Sequence, residues 1–253
     1  MAKSATVEAN VAPPRAAGTY LVWSCDPAVG LLAVLPLWIV YEALRLLLTP
    51  ADRNGAELLL IRQIDRFGGH GLLILRAALA VLTAFAAASL LRRQIPWLRV
   101  AAVLILEGTI YGLMLGPIAA AMTSSTVRLL DIAATPGVSA LTANLVGSVG
   151  AGIFEELVFR LGLMSALVWI GLRAVRAWSL PSAVAGVFAV VVSALVFSWF
   201  HHLCGEPFEQ KRFLFRTMAG LLLGMLMWGR GYGVCVYTHT VYNVYFYLSG
   251  DGT

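Results

Sequence analysis

Seven largely apolar stretches, each long enough to cross a bilayer, constrain this chain more than any other feature. A helix needs ~17–25 apolar residues to span the hydrocarbon core, and lipid offers no partners for exposed backbone polar groups. The stretches lie at about residues 28–48, 71–91, 98–122, 151–172, 181–201, 212–229 and 232–249. The last two abut and could be tilted or partly re-entrant, and residues 138–150 could add a half-helix. We therefore predict an all-α, polytopic integral membrane protein with about 6–8 transmembrane helices and a polar cavity between them.

The charge content favours the same class. Only 12% of the residues are charged and 60% are hydrophobic, whereas soluble globular domains carry about 25% charged residues. The net charge of +5 is spread over short loops, without a basic cluster interleaved with aromatic residues. We therefore expect membrane lipid as a partner and no nucleic acid.

Three of the predicted spans carry polar and ionisable side chains, which are costly in hydrocarbon and are rarely kept there without a task or a partner. These side chains are Glu155, Glu156 and Arg160 in the fourth span, His201 in the fifth, and His239 and Asn243 in the seventh. Residues four apart share a helix face, so Glu156 and Arg160 can pair directly. Glu155 points about 100° away from Glu156 if the span is an α-helix.

The alternation of spans predicts that these side chains share one leaflet. Glu155 lies near the start of the fourth span, His201 at the end of the fifth, and His239 in the middle-to-late part of the seventh. Arginines in the loops at 92–99 and 173–180 favour a cytoplasmic position for both loops and for the amino terminus. On that orientation the site faces the outer leaflet, and we expect the protein in a bacterial inner (cytoplasmic) membrane.

If the three polar faces converge, they supply what amide hydrolysis needs. Glu155 and His201 could hold a water molecule, and a carboxylate with an imidazole partner can take a proton from that water. His239 and Asn243 could donate hydrogen bonds to the oxyanion of a tetrahedral intermediate. The sequence therefore predicts a hydrolytic site that works without a covalent intermediate.

Three motifs occur in order on separate apolar spans: EExxxR at 155–160, FxxxH at 197–201 and HxxxN at 239–243. Over about residues 140–249 this pattern resembles the CPBP family, the CAAX-prenyl-protease and bacteriocin-processing (Abi) intramembrane proteases. The resemblance implies an intramembrane endopeptidase in which Glu155 activates water, with His201 as its partner. The other motif residues would structure the site or stabilise the oxyanion: Glu156, Arg160, His239 and Asn243.

The resemblance also implies the kind of substrate, a membrane-tethered protein or peptide. Such a substrate could present a lipidated C-terminus, a C-terminal sorting helix, as for myxosortase-like or exosortase-associated members, or a leader peptide. The chain then divides into a disordered cytoplasmic tail at 1–27, N-terminal transmembrane helices at 28–137 and a CPBP/Abi-like catalytic core at 138–253.

Members of this family have been described both as metal-dependent and as glutamate-type proteases. No HExxH pair places two histidines on one helix turn in this chain, so we predict that no cofactor is needed. A divalent metal such as zinc is the alternative, with Glu155, His201 and His239 as its ligands.

Other interpretations stay open from the sequence alone. The polar residues could form a structural ion-pair network, and the protein could be a non-catalytic immunity or scaffold protein, or a transporter. Phe197 and Tyr242 could line a substrate cavity, and His202 could share the role of His201.

Two further acidic residues lie within the spans. Glu42 can pair with Arg45 three residues later on the same helix. Glu107 has no local partner and could meet Arg76 or Arg160, or line the substrate cavity. We expect structural roles for both acids.

Overall fold

The structure, a computed structural model, describes residues 18–47, 54–123 and 138–249. Every regular element in these ranges is a helix. The elements are α1 (Tyr20–Ser24), α2 (Pro27–Leu44), a short 3-10 turn (Arg45–Leu47), α3 (Gly55–Asp65), α4 (Gly71–Arg93), α5 (Trp97–Thr123), α6 (Val138–Gly150), a π-helical segment (Ala151–Met164), α7 (Ser165–Ala177), α8 (Ser182–Leu203), α9 (Gln210–Arg230) and α10 (Tyr232–Leu248). The predicted all-α class is confirmed.

Five helices in the described part of the chain are long and apolar enough to cross a membrane. They are α2, α4, α5, the continuous helix Ala143–Ala177 and α8. Large apolar side chains such as Phe85 on α4 and Leu106 on α5 are exposed on the outside of the bundle, where lipid would cover them. The chain is therefore an integral, polytopic membrane protein.

Residues 1–17 of the predicted cytoplasmic tail at 1–27 lie outside the described residues. Its described end contains α1 and Asp26, which caps α2 by accepting a hydrogen bond of 2.9 Å from the backbone N of Ala28. Pro27 follows at the first helical position, where a missing N–H costs nothing. The predicted division into tail, N-terminal helices and catalytic core stays a prediction.

Ion pairs show that α2 and α4 run in opposite directions. Arg93, the last residue of α4, pairs with Asp26 just before α2, whereas Arg76 near the start of α4 pairs with Glu42 near the end of α2. Glu42 also pairs with Arg45 at 3.2 Å, as the spacing predicts. One end of the bundle therefore carries α1 and the turns before α5, α8 and α10. The other, which we name the α3 end, carries α3, the start of α6 and the turn before α9.

Helix α10 lies in the middle of the bundle, and residues 232–240 are buried throughout. Two glycines let its neighbours approach closely. A Cβ on Gly152 would lie 1.9 Å from Thr240 Oγ1, and a Cβ on Gly108 would lie 2.6 Å from Tyr237 Cβ. Since no side chain fits at either position, these contacts fix α10 against the π-helical segment and against α5.

The segment that carries the EExxxR motif differs from the expected α-helix. Residues Ala151–Met164 form a π-helix, in which the backbone hydrogen bonds join residues five apart rather than four. The span at 151–172 is helical as predicted, but the expected α-helical geometry is wrong for Ala151–Met164 and correct from Ser165 onwards. The motif spacing could not reveal the π-helix, because side chains four residues apart lie close together in a π-helix as they do in an α-helix. Segments of π-helix are rare and frequently occur at functional sites.

The predicted partner of Glu107 is also wrong. Glu107 meets neither Arg76 nor Arg160; its two carboxylate oxygens are bound by Arg230 at 2.6 and 2.5 Å. The hydroxyl of Tyr20 also donates to Glu107. Arg230 ends α9, far along the chain, so no local spacing could indicate this pair. The expected structural role of Glu107 agrees with a carboxylate bound through both of its oxygens.

Candidate active site

Glu155 lies at the centre of a polar group that the apolar bundle encloses. This residue is buried, with 5% of its surface exposed. Its Oε2 lies 3.9 Å from Nε2 of His201, near the end of α8, and 3.9 Å from Nε2 of His239, in the middle of α10. The polar faces of the three helices therefore converge, as the motif positions predict.

Both imidazoles present the same nitrogen to Glu155 because the other nitrogen is engaged. Nδ1 of His201 lies 3.0 Å from the carbonyl oxygen of Phe197, and Nδ1 of His239 lies 2.6 Å from Oε1 of Glu156. Carbonyl and carboxylate oxygens only accept, so each Nδ1 carries the hydrogen and donates it. In a neutral imidazole this leaves an unprotonated Nε2 facing Glu155.

Glu156 is fully buried and has three partners. Its Oε1 accepts the hydrogen bond from His239 and pairs with Nη1 of Arg160 at 3.2 Å. Its Oε2 accepts a hydrogen bond of 2.9 Å from the thiol of Cys235. The predicted pairing with Arg160 is therefore present, but Glu156 also orients an imidazole that faces Glu155. The two adjacent glutamates thus have different surroundings.

Arg160 is buried completely, and aromatic as well as charged groups surround it. Its guanidinium carbon lies 4.2 Å from the ring centroid of Phe197, a cation–π contact, and Nη2 donates to the carbonyl of Gly220 at 3.5 Å. The ring of Phe197 also meets the rings of His201 and His239 edge-on, at 5.1 and 6.0 Å between centroids. Phe197 therefore packs against both imidazoles. Its predicted role in lining a substrate cavity stays a prediction.

Asn243 and Tyr242 lie farther along α10. Asn243 is half-buried and follows His239 by one turn on the same face, without a hydrogen bond to any other residue that the structure describes. Tyr242 is half-buried, and its ring lies 6.3 Å from that of Phe215. Asn243 therefore makes no hydrogen bond to Glu155 in the described part of the chain, and the predicted roles of both residues stay predictions.

His202 points away from the site. Its ring packs against Phe208 and Phe213, with centroids 5.1 and 6.1 Å away, and its Nδ1 lies 3.4 Å from the carbonyl oxygen of Glu206. His202 therefore belongs to an aromatic cluster at the end of α8 and does not share the position of His201.

One residue that contacts Glu155 is absent from the motifs. Asn54, just before α3, donates from Nδ2 to Oε1 of Glu155 at 2.8 Å. Its own Oδ1 accepts a hydrogen bond of 2.8 Å from the backbone N of Ala56, so Asn54 is also the N-cap of α3. The sequence signal for Asn54 is that of a helix cap, and no pattern relates it to a glutamate 101 residues later.

Charged groups outside the spans lie beside the site, in the turn between α8 and α9. Burial alone would raise the pKa of Glu206, but a hydrogen bond of 3.0 Å from Arg216 and its positive charge outweigh burial and lower that pKa below its usual value. Burial, reinforced by the charges of Glu155 and Glu206, raises the pKa of the Cys204 thiol. Cys204 is therefore not poised as a thiolate nucleophile.

The residues that would bind zinc are of the right type, but their spacing does not fit. Two ligands of a tetrahedral zinc ion, each ~2.0–2.2 Å from the metal, lie about 3.3–3.5 Å apart. Oε2 of Glu155 lies 3.9 Å from both imidazole nitrogens. Within residues 18–47, 54–123 and 138–249, no group of three or more histidine, cysteine, aspartate or glutamate side chains could hold a metal ion. The predicted independence from a cofactor stays a prediction.

Comparison with known proteins identifies the family. A family model described as Rce1-like, type II CAAX prenyl endopeptidase Rce1-like, matches residues 137–245. The match includes Glu155, His201 and His239, whereas Asn54 lies outside it. No curated protein and no solved structure matches the chain. Residues 137–245 therefore match the CPBP family of intramembrane endopeptidases, and this match supports a membrane-embedded peptidase of the CAAX-protease type.

Proposed function

We propose that this protein hydrolyses a peptide bond of a membrane-tethered substrate by means of a water molecule that Glu155 activates. The observation that carries the proposal is the gap of 3.9 Å between Oε2 of Glu155 and Nε2 of both His201 and His239. The gap is too long for a direct hydrogen bond, but a water oxygen can lie about 2.7–3.0 Å from both atoms across it. The carboxylate and the imidazoles are thus spaced to share a water.

The arrangement supports direct hydrolysis. The water oxygen attacks the carbonyl carbon of the substrate while Oε2 of Glu155 takes one water proton, and a tetrahedral oxyanion forms. When the C–N bond breaks, the same proton passes from Glu155 to the leaving amine, which regenerates the carboxylate. Nε2 of His201 accepts a hydrogen bond from the second O–H of the water and thereby turns a lone pair towards the substrate.

Glu156 and Arg160 act through His239 in this mechanism. The Glu156 carboxylate holds the Nδ1–H of His239 and so fixes the orientation of its ring. Arg160 offsets the negative charge of Glu156, which is needed because both side chains are fully buried. We therefore assign Glu156 and Arg160 to positioning and Glu155 to the reaction itself.

We assign stabilisation of the oxyanion to His239 and Asn243, which lie on one face of α10. The amide of Asn243 makes no hydrogen bond within the described ranges and can donate to a substrate. His239 can donate from Nε2 only as an imidazolium, which would hold a proton taken from solvent before the reaction and keep it throughout, with its charge offset by the Glu156 carboxylate. Removal of one such donor from an oxyanion site costs about 10²–10³ in kcat.

The non-catalytic alternatives explain these contacts less well. An immunity or scaffold protein has no need for a carboxylate and two imidazoles spaced around a gap of water size. A transporter needs ionisable groups that exchange protons or ions along a path across the membrane. Outside the site, the half-buried Glu107 is already bound by Arg230 at both oxygens.

We further propose that the site opens to the outer leaflet of a bacterial inner membrane. Glu155 lies towards the α3 end of the bundle, and the turns with the arginines at 92–99 and 173–180 lie at the opposite end, which the positive-inside tendency assigns to the cytoplasm. A substrate with a C-terminal sorting helix would present its cleavage site there. A lipidated C-terminus, the substrate type in the description of the matched family, would instead suit a site that faces the cytoplasm.

Cleavage by the purified protein in lipid vesicles tests this function. One fluorogenic probe is a peptide with a farnesylated C-terminal cysteine, and the other is a peptide tethered by a C-terminal transmembrane helix. We expect cleavage of the helix-tethered probe, and we expect the His201→Ala variant to lose activity by at least about 10²-fold.

The adjacent histidine supplies the matched control, since His202→Ala changes a ring that faces away from Glu155 and should leave cleavage intact. Cleavage of neither probe by the wild type would contradict the proposed function. Cleavage of the farnesylated probe alone would contradict the proposed substrate and orientation. Full activity of His201→Ala would contradict the mechanism.

A further inference from the structure

Only one oxygen of the Glu155 carboxylate faces the two imidazoles. Oε2 lies 3.9 Å from each Nε2, whereas Oε1 accepts the hydrogen bond of 2.8 Å from Asn54. A carboxylate can turn about its terminal C–C bond unless one of its oxygens is held. The hydrogen bond from Asn54, which the negative charge strengthens, therefore determines which oxygen meets the water.

The amide of Asn54 is itself held in one orientation. Its Oδ1 accepts a hydrogen bond from the backbone N of Ala56, while its Nδ2 donates to Glu155, both at 2.8 Å. A flipped amide would face a backbone donor with its NH₂ group and the Glu155 carboxylate with its oxygen, so both hydrogen bonds would be lost together. The N-cap of α3 thus directs a donor at Glu155.

The start of α3 is anchored to neighbouring helices. Glu57, in its first turn, is 0% exposed and accepts a hydrogen bond of 2.5 Å from the hydroxyl of Tyr41 on α2. Gly55 lies against the end of α8, since a Cβ at this position would be 3.0 Å from Sγ of Cys204. These contacts fix the position of Asn54 relative to the helix that carries His201.

We propose that Asn54 is a positioning residue of the catalytic centre, which holds Glu155 with Oε2 towards the water and thereby makes α3 part of the active site. The inference rests on the proposed function of Glu155. Asn54 lies outside the matched family region at 137–245. The functional unit therefore extends beyond that region, into the helices that precede it.

Two substitutions separate positioning from helix capping. Aspartate caps a helix as well as asparagine does, and serine does so nearly as well. Asn54→Asp, however, sets a second carboxylate against Glu155, and Asn54→Ser removes the amide donor. With the helix-tethered probe in vesicles, we expect Asn54→Asp to lower kcat by about 100-fold and Asn54→Ser by about 10-fold. The KM should stay near the wild-type value in both variants. The Tm should stay near the wild-type value in Asn54→Ser, whereas repulsion between two carboxylates should lower the Tm of Asn54→Asp.

A role in capping alone predicts that both variants keep the wild-type kcat, and that result would overturn the proposal. For Asn54→Ser, a loss of kcat that is fully explained by a smaller folded fraction would overturn it as well. Asp26→Asn, a substitution at the N-cap of α2 at the opposite end of the bundle, is the matched control and should leave kcat unchanged. An inactive wild type, or an active Glu155→Gln variant, would instead count against the proposed function.

Discussion

Removal of the Arg160 guanidinium should destabilise the protein strongly, because it leaves the Glu156 carboxylate buried without its cation. Both side chains are 0% exposed and lie 3.2 Å apart. Breaking a buried ion pair at one partner costs about 3–5 kcal/mol, and the lost cation–π contact with Phe197 acts in the same direction. Hydrogen bonds from His239 and Cys235 still compensate part of the charge. We therefore expect Arg160→Met to lower the free energy of unfolding by about 3–5 kcal/mol.

A double-mutant cycle isolates the contribution of the charge. Glu156→Gln removes the charge and keeps the shape of the side chain, so the double variant should be more stable than Arg160→Met by about 1–2 kcal/mol. Unfolding free energies in mixed detergent micelles measure both effects. Arg173→Met is the matched control, because Arg173 is exposed and rests on the ring of Trp169 near the end of the same continuous helix. It should cost less than about 1 kcal/mol.

Two results would refute this reasoning. One is an Arg160→Met variant whose unfolding free energy lies within about 1 kcal/mol of the wild type, below the range for a broken buried pair. The other is a double variant no more stable than Arg160→Met. Either result would mean that the buried Glu156 carboxylate does not depend on Arg160.

Three further predictions concern packing, pH and metal. Gly152→Ala should lower the Tm and the activity, because its Cβ would lie 1.9 Å from Thr240 Oγ1 and overpacking costs about 1–3 kcal/mol. Gly147→Ala is the control: no atom of the described chain lies within 4 Å of the new Cβ, so this substitution should be neutral or stabilising. Folding lowers the pKa of Glu206. Its pairing with Arg216 therefore stabilises the fold fully at a pH above the pKa of glutamate in the unfolded chain, about 4.3. This stabilisation is lost as the pH falls through the lower pKa of the folded protein. Glu206→Gln should therefore flatten the acid limb of a plot of Tm against pH, and an unchanged limb would contradict this cause. Dialysis against EDTA should leave cleavage unchanged; a loss that added zinc restores would favour the metal-dependent alternative.

The motif spacing is sufficient to predict that Glu155, His201 and His239 share one leaflet. Apolar length locates the spans, alternation of spans determines the leaflet, and helical periodicity determines which residues share a face. Whether the three faces converge depends on how the helices pack, which the spacing does not determine. The same local reasoning predicts the pairs Glu156–Arg160 and Glu42–Arg45, whose members share one helix.

The remaining contacts depend on packing between distant parts of the chain. The bond from His239 to Glu156 and the pair of Glu107 with Arg230 each join helices far apart in sequence. Asn54 resembles an ordinary helix cap until α3 is packed against the π-helical segment. The π-helix itself has no distinctive residue pattern, because its side chains meet at nearly the same spacing as those of an α-helix.

The single-turnover cleavage rate of the Glu155→Gln variant tests most directly whether Glu155 takes the proton of the attacking water. Glutamine has the shape of glutamate but cannot accept that proton. With the helix-tethered probe in vesicles, and with a folded variant that still binds the probe, we predict a fall in rate of about 10²–10⁴-fold relative to the wild type. A rate within a few-fold of the wild type would contradict the proposed role of Glu155.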